Sequence, residues 1–283
     1  MKRKVLLVDI AGVYDAQGFK SYLEESGICY EAAIVEGLEG THCYCDEGAE
    51  EAILSALGQG SMGTERQGTT ATDRQEPMGT ERQGTIATEC DGAVLTGIRG
   101  AVATGCAAPE RTCETGTPIV RFIGSGDYHY ITCLLAQDIR EPFSLVLLDH
   151  HPDNQAPALG DVLSCGGWVS ELRRRNKYLE EVLTIGPEGC PQSIPEGWLE
   201  QRKGKNVYVS LDKDIMGPQY AVTGWSQGKH TLEDVKGMIR QIIDSEVNTI
   251  AVDVCGETAP ENCQAVNLEA NVEILKTIIN TLK

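Results

Sequence analysis

Four short apolar runs in this chain end in side chains able to hold a metal ion or move a proton. Phe122-Ile123 leads into Gly124-Ser125-Gly126-Asp127-Tyr128-His129, and Leu145-Val146-Leu147-Leu148 into Asp149-His150-His151-Pro152-Asp153. Val207-Tyr208-Val209-Ser210-Leu211 continues into Asp212-Lys213-Asp214, and Ala251-Val252 into Asp253-Val254-Cys255-Gly256-Glu257. The chain has only five histidines, and three of them, His129, His150 and His151, fall in these segments.

Extended backbone sends successive side chains to opposite sides. Asp149, His151 and Asp153 can therefore converge while His150 points elsewhere. Asp212 and Asp214 share the same spacing, and two carboxylates brought close raise each other's pKa unless a cation lies between them. With His129 added, the set has four carboxylates and two imidazoles. Six donors exceed what a four-coordinate structural zinc uses, and this oxygen-rich set suits two Mn²⁺ ions, with Zn²⁺ or Fe²⁺ as the other ions it accepts. Taken singly, a solvated acidic turn explains Asp212 and Asp214, and a hydrogen-bonded core imidazole explains His129. The recurrence at successive strand ends favours the metal.

The elements that must position these residues alternate β-rich apolar runs with amphipathic stretches, a pattern of a mainly parallel sheet covered by helices. Strands are expected at 5–10, 119–124, 145–149, 182–185, 207–211 and 249–254. Helical periodicity marks 19–26, 49–57, 130–136, 169–178, 232–244 and 272–282. In open α/β sheets ligands sit beyond the carboxyl ends of the strands, where the acidic and histidine clusters lie.

From Gly58 to Gly116 large apolar side chains almost vanish, and Met62-Gly63-Thr64-Glu65-Arg66-Gln67-Gly68-Thr69 recurs sixteen residues later from Met78 to Thr85. Such a unit has no apolar face to stack, so 58–116 is expected to be a disordered insertion in one α/β domain spanning 1–283.

These motifs resemble the arginase, agmatinase and formiminoglutamase family of ureohydrolases. The family's Asp-x-His-x-Asp is met by Asp149, His151 and Asp153. Its Ser-x-Asp-x-Asp followed by Pro is met by Ser210, Asp212 and Asp214, with Pro218. The resemblance runs from about Ile119 to the C-terminus and implies a three-layer α/β/α fold. It also implies a two-manganese site in which a bridging hydroxide attacks a guanidinium or related carbon and Asp153 positions it. A late glutamate that grips the cationic group would be Glu257, although it stands four residues after Asp253 where the family has three. The family's Gly-Gly-Asp-His-Ser has become Gly-Ser-Gly-Asp-Tyr-His, so a gapless alignment puts Tyr128 at the ligand position; His129 is taken as the ligand. Where arginases hold the amino-acid head group, this chain has Asn154-Gln155-Ala156 and Leu163-Ser164-Cys165-Gly166-Gly167-Trp168, without a histidine. Gln155, Ser164 and Trp168 are the candidate substrate contacts.

Charge narrows the partners. Lys and Arg total 24 against 42 Asp and Glu, a net charge of -18 that repels a phosphate backbone and argues against nucleic acid. No apolar stretch is long enough for a membrane span. Eleven cysteines without a framework, and no export signal, read as reduced thiols in a cytoplasmic protein. His42-Cys43-Tyr44-Cys45-Asp46 is read as structural thiols, and Cys165 and Cys255 as small buried side chains near the motifs. Trp168 and Trp225 are placed to wall a pocket. The expected activity is metal-dependent hydrolysis of a C–N bond in a guanidino, amidino or amide small molecule. Alternatives are a non-catalytic or regulatory metal-binding protein and a deacetylase-like hydrolase with one zinc. Homo-oligomerisation is open.

Overall fold

A computed structural model describes residues 5–10, 12–35, 42–58, 100–104, 119–156, 162–262 and 264–281. Ten strands and seven α-helices follow one another along these residues. They are β1 (Val5–Ile10), α1 (Val13–Ala16), α2 (Phe19–Glu25), β2 (Tyr30–Val35), β3 (Tyr44–Cys45), α3 (Glu47–Ala56), β4 (Gly100–Thr104), β5 (Ile119–Phe122), α4 (Ile131–Ala136), β6 (Phe143–Leu148), β7 (Leu163–Ser164), α5 (Trp168–Arg175), β8 (Leu179–Ile185), β9 (Asn206–Asp212), α6 (Leu232–Asp244), β10 (Asn248–Cys255) and α7 (Ala265–Thr281).

Eight strands form one sheet in the order β4-β2-β1-β5-β10-β9-β6-β8. Seven run parallel, and β4 pairs antiparallel with β2 at one edge. Parallel strands are buried on both faces and read as continuous apolar runs. Accordingly, Leu145 and Leu147 of β6 face one apolar cluster with α3, α4 and α5, while Val146 and Leu148 face another with α2, α6 and α7. This is the expected three-layer α/β/α architecture. The described residues include no helix long and apolar enough to cross a membrane.

The six expected strands and six expected helices are all present. Their ends differ where polar residues enter the pattern. Helix α7 begins at Ala265, well before 272, because its inward stripe opens with Asn267 and Asn271, both fully buried. Strand β2 carries two alanines, poor strand formers, and gives little periodic signal.

Most of the segment expected to be a disordered insertion, 58–116, lies outside the described residues. Within it, however, Gly100–Thr104 forms β4 and covers the edge of β2. Backbone pairing needs no large side chain, so a strand can form in a span expected to contribute nothing to the core.

Candidate metal centre

Because the seven strands are parallel, their carboxyl ends share one edge. The segments singled out above follow β5, β6, β9 and β10, which are neighbours in the order β5-β10-β9-β6 although distant in sequence. Alternation then selects the face. On β9, Tyr208, Ser210 and Asp212 point one way, and on β10 so do Asp253 and Cys255. The register sets Ser210 beside Asp253 and Asp212 beside Cys255.

His129 follows a single 3₁₀ turn, Gly126–Tyr128, whose first N–H groups are capped by Ser125 Oγ accepting from Asp127 N at 3.3 Å. Its Nε2 lies 2.8 Å from Ser210 Oγ, which fixes the ring and turns Nδ1 into the cluster. Nδ1 is 2.9 Å from Asp153 Oδ2, 3.3 Å from Asp149 Oδ2 and 3.7 Å from Asp212 Oδ2. On the other side, His151 Nδ1 is 2.7 Å from Asp214 Oδ2 and 3.6 Å from Asp149 Oδ1. All six expected ligands therefore meet, in three overlapping groups: His129 with Asp149 and Asp153, His151 with Asp149 and Asp214, and His129 with Asp212 and Cys255. Asp212 joins the first through His129 and touches the second by accepting Asp214 N at 2.8 Å.

Local chain geometry holds this arrangement. Asp153 adopts a left-handed backbone (φ 46°), strain of a kind that clusters at functional sites. Gly256 has φ 92°, and a Cβ there would overlap Asp212 Oδ1 and lie 2.8 Å from Lys213 N, so only glycine fits beside the ligand loop. Behind His129, Arg121 donates to Asp253 at 2.6 Å and to Tyr208 OH at 2.6 Å, and Thr132 donates to Asp253 at 3.1 Å. These buried polar groups brace the ends of β9 and β10.

The electrostatics suit a cation. Asp149, Asp153, Asp212 and Asp214 are all buried, and among the described residues no lysine or arginine pairs with them. Burial, reinforced by Asp214, pushes the Asp212 carboxyl up to about 6; burial, reinforced by Asp149, does the same to Asp214. Hydrogen bonds to Asp149 and Asp214 push His151 up to about 10. Asp149 Oδ2, at the centre, is buried and accepts no hydrogen bond. An orphaned carboxylate oxygen flanked by imidazole nitrogen and further carboxylates fits a divalent ion.

The cluster floors a cavity of about 200 Å³ whose walls include Gln155, Ser164, Cys165, Cys43 and Trp225. Gln155 and Ser164 thus stand where substrate contacts were expected. Cys43 reaches the cavity through the ribbon β3–β7, where Tyr44 pairs with Ser164 and Cys165 N donates to Cys43 O at 3.0 Å. The neighbouring His42 and Cys43 both approach Asp127, at 3.3 and 3.5 Å, and Asp127 also accepts Trp225 Nε1 at 2.9 Å.

Two expected roles need correction. Trp168 is fully buried and does not face the cavity. It packs against His129 (ring centroids 4.9 Å apart) and donates Nε1 to Asp153 Oδ2 at 2.7 Å, so it positions a ligand instead of walling a substrate. Glu257 does not line the cavity either. The left-handed turn at Gly256 interrupts the alternation of β10 and sends Glu257 towards α7, where it pairs with Lys213 and accepts from Gln17, Asn267 and Asn271. A carboxylate held this way is not available to grip a cationic substrate.

Anchoring partners outside the ligand set tune affinity substantially. Trp168→Phe, which keeps the packing and deletes the hydrogen bond to Asp153, is expected to weaken metal binding about 10–100-fold. Titration against a competing chelator measures this; unchanged affinity would mean that Asp153 needs no anchor.

No family model matches the chain. An uncharacterized protein of Thermotoga maritima is 29% identical over 149 residues, which is 50% of this chain and 59% of that protein. Among solved structures, a hypothetical agmatinase from Burkholderia thailandensis is 21% identical, covering 58% of this chain and 59% of its own, with a TM-score of 0.45. The agmatine ureohydrolase of Thermoplasma volcanium is 18% identical, covering 58% and 62%, with a TM-score of 0.47. Proclavaminate amidino hydrolase from Streptomyces clavuligerus is 17% identical, covering 59% and 64%, with a TM-score of 0.49. The chain spans less than two thirds of the length of each of these proteins.

Proposed function

We propose that the chain is a two-metal hydrolase of a C–N bond in a small guanidino, amidino or amide compound. The observation that carries this reading is Asp149: one carboxylate common to two donor groups, with an oxygen that accepts no hydrogen bond at the cavity floor. Two divalent cations held there, Mn²⁺ as the first choice for the oxygen-rich groups, would lower the pKa of water and polarise the carbon under attack.

The protein's own residues supply position and exclusion. His129 is oriented through Ser210, and His151 through Ser226 Oγ at 2.9 Å. Asp153, anchored by Trp168, orients the attacking water at the floor. Gln155 and Ser164 contact the substrate's polar end from the wall. Hydrolysis adds the hydroxyl of water to the carbon and leaves the proton with the departing nitrogen.

With Glu257 engaged elsewhere and no histidine between Asn154 and Trp168, arginine lacks its remote contacts. Misplacement by about 1 Å costs on the order of a hundredfold in rate. We therefore expect arginine to turn over with a kcat/KM below about 10⁴ M⁻¹s⁻¹, the lower end of the ordinary enzyme range. The test measures urea, ammonia or amine release from arginine, agmatine, formiminoglutamate and small ureido and amide compounds. Metal-loaded protein is compared with an Asp153→Asn blank. Turnover of any member supports the proposal, and faster arginine turnover would overturn the specificity argument. The displacement of Glu257 favours a second reading, a metal-binding protein without turnover, which silence across the panel with both ions bound would support.

A further inference from the structure

We propose that Cys255 is a metal ligand, and that the His129 side of the centre takes a thiophilic ion through His129, Asp212 and Cys255. This rests on the two-metal reading above and deepens it. In the register of β9 and β10, Cys255 stands beside Asp212, and its Sγ lies 3.1 Å from Asp212 Oδ2. Donor atoms of His129, Asp212 and Cys255 lie within 4.8 Å of one another, and all three residues are buried. The thiol therefore sits inside the ligand cluster, on the side where His129 Nδ1 points.

The second observation is the imidazole itself. Nε2 is 2.8 Å from Ser210 Oγ and Nδ1 faces Asp149, Asp153 and Asp212, and the residue is common to two donor groups, one with Asp149 and Asp153 and the other with Asp212 and Cys255. One ion on this nitrogen draws its remaining ligands from both groups. A thiolate among them changes which ion is preferred. Sulfur ligands select zinc and comparable soft ions, whereas manganese prefers carboxylate, carbonyl and water. The other side of the centre, Asp149, His151 and Asp214, has no sulfur.

A thiol carries one proton and binds a metal ion as its thiolate. Coordination replaces that proton: the S–H bond breaks, a metal–sulfur bond forms, and H⁺ passes to solvent. No oxidant or reductant is needed.

Zinc-loaded protein tests this by X-ray absorption, because a sulfur ligand scatters at about 2.3 Å and nitrogen or oxygen ligands at about 2.0–2.2 Å. We expect a sulfur shell in the parent chain and in Cys43→Ser/Cys165→Ser, which removes the other cavity thiols. Cys255→Ser should lose it and lower the zinc-to-manganese affinity ratio at least tenfold. If Cys255→Ser fails to fold, Cys255→Ala gives the same readout, since the sulfur shell must vanish with the thiol. Two zinc ions bound through nitrogen and oxygen alone, or a sulfur shell that survives in Cys255→Ser, would overturn the inference while leaving the two-metal reading intact. Protein that binds no zinc or manganese would overturn both.

Discussion

Asp149→Ala is expected to weaken binding of both ions, not one. The carboxylate belongs to two of the donor groups, and its two oxygens face His129 and His151 separately. Removal of Asp214 should spare the His129 side, so Asp214→Ala is expected to retain about one ion per chain. Metal counts on the two purified variants distinguish a shared ligand from two independent sites. Bound metal also stabilises the fold by mass action, about 4 kcal/mol per site at a thousandfold excess over Kd. Chelator should therefore lower the melting temperature of the parent markedly and that of Asp149→Ala very little. Equal melting shifts on chelation, or an ion retained by Asp149→Ala at the parent's affinity, would show that Asp149 is not shared by the two sides.

The second large effect lies behind the metal centre. Lys213 and Glu257 form an ion pair with both side chains almost wholly out of solvent, and Lys213 sits between the ligands Asp212 and Asp214. Removing one partner of a buried pair leaves an uncompensated charge and typically destabilises by about 3–5 kcal/mol, whereas replacing both with apolar groups of similar volume is often close to neutral. Glu257→Leu is thus expected to destabilise by about that amount and to loosen the Asp212–Asp214 loop. Lys213→Met/Glu257→Leu should recover a large part of the loss. The recovery is incomplete because Asn267, Asn271 and Gln17 lose their acceptor. Denaturant unfolding of the two single variants and the double variant measures the coupling. Strict additivity would mean that the pair does not act as a unit. If Glu257 gripped substrate instead, Glu257→Leu would change KM and leave stability nearly intact.

What the amino-acid sequence discloses about this centre follows from alternation. Asp149, His151 and Asp153, and again Asp212 and Asp214, are spaced for one face, and the apolar runs before them mark the strands that carry them. Cys255 is hidden because its role depends on register: nothing local says that β10 lies beside β9 with residue 255 opposite 212. Glu257 misleads for a related reason, since a left-handed glycine interrupts the alternation that would have aimed it at the substrate. Trp168 looks like a pocket wall until its indole N–H is seen to donate to Asp153. The fold is legible where β-branched and leucine runs are continuous. It is less so at β2 and the start of α7, where alanine or buried asparagine occupy inward positions, and at β4, whose sequence is Gly-Ala-Val-Ala-Thr.

The strand order also governs how the protein is made. The last strand in chain order among the described residues, β10, is inserted between β5 and β9. Until it arrives the sheet exists as two halves, β4-β2-β1-β5 and β9-β6-β8, each ending in an unpaired edge that can recruit a strand from another chain. Closure of the sheet is therefore a late event of high contact order, and nascent chains stalled before Asn248 are the aggregation-prone species. The same step brings residue 255 beside residue 212.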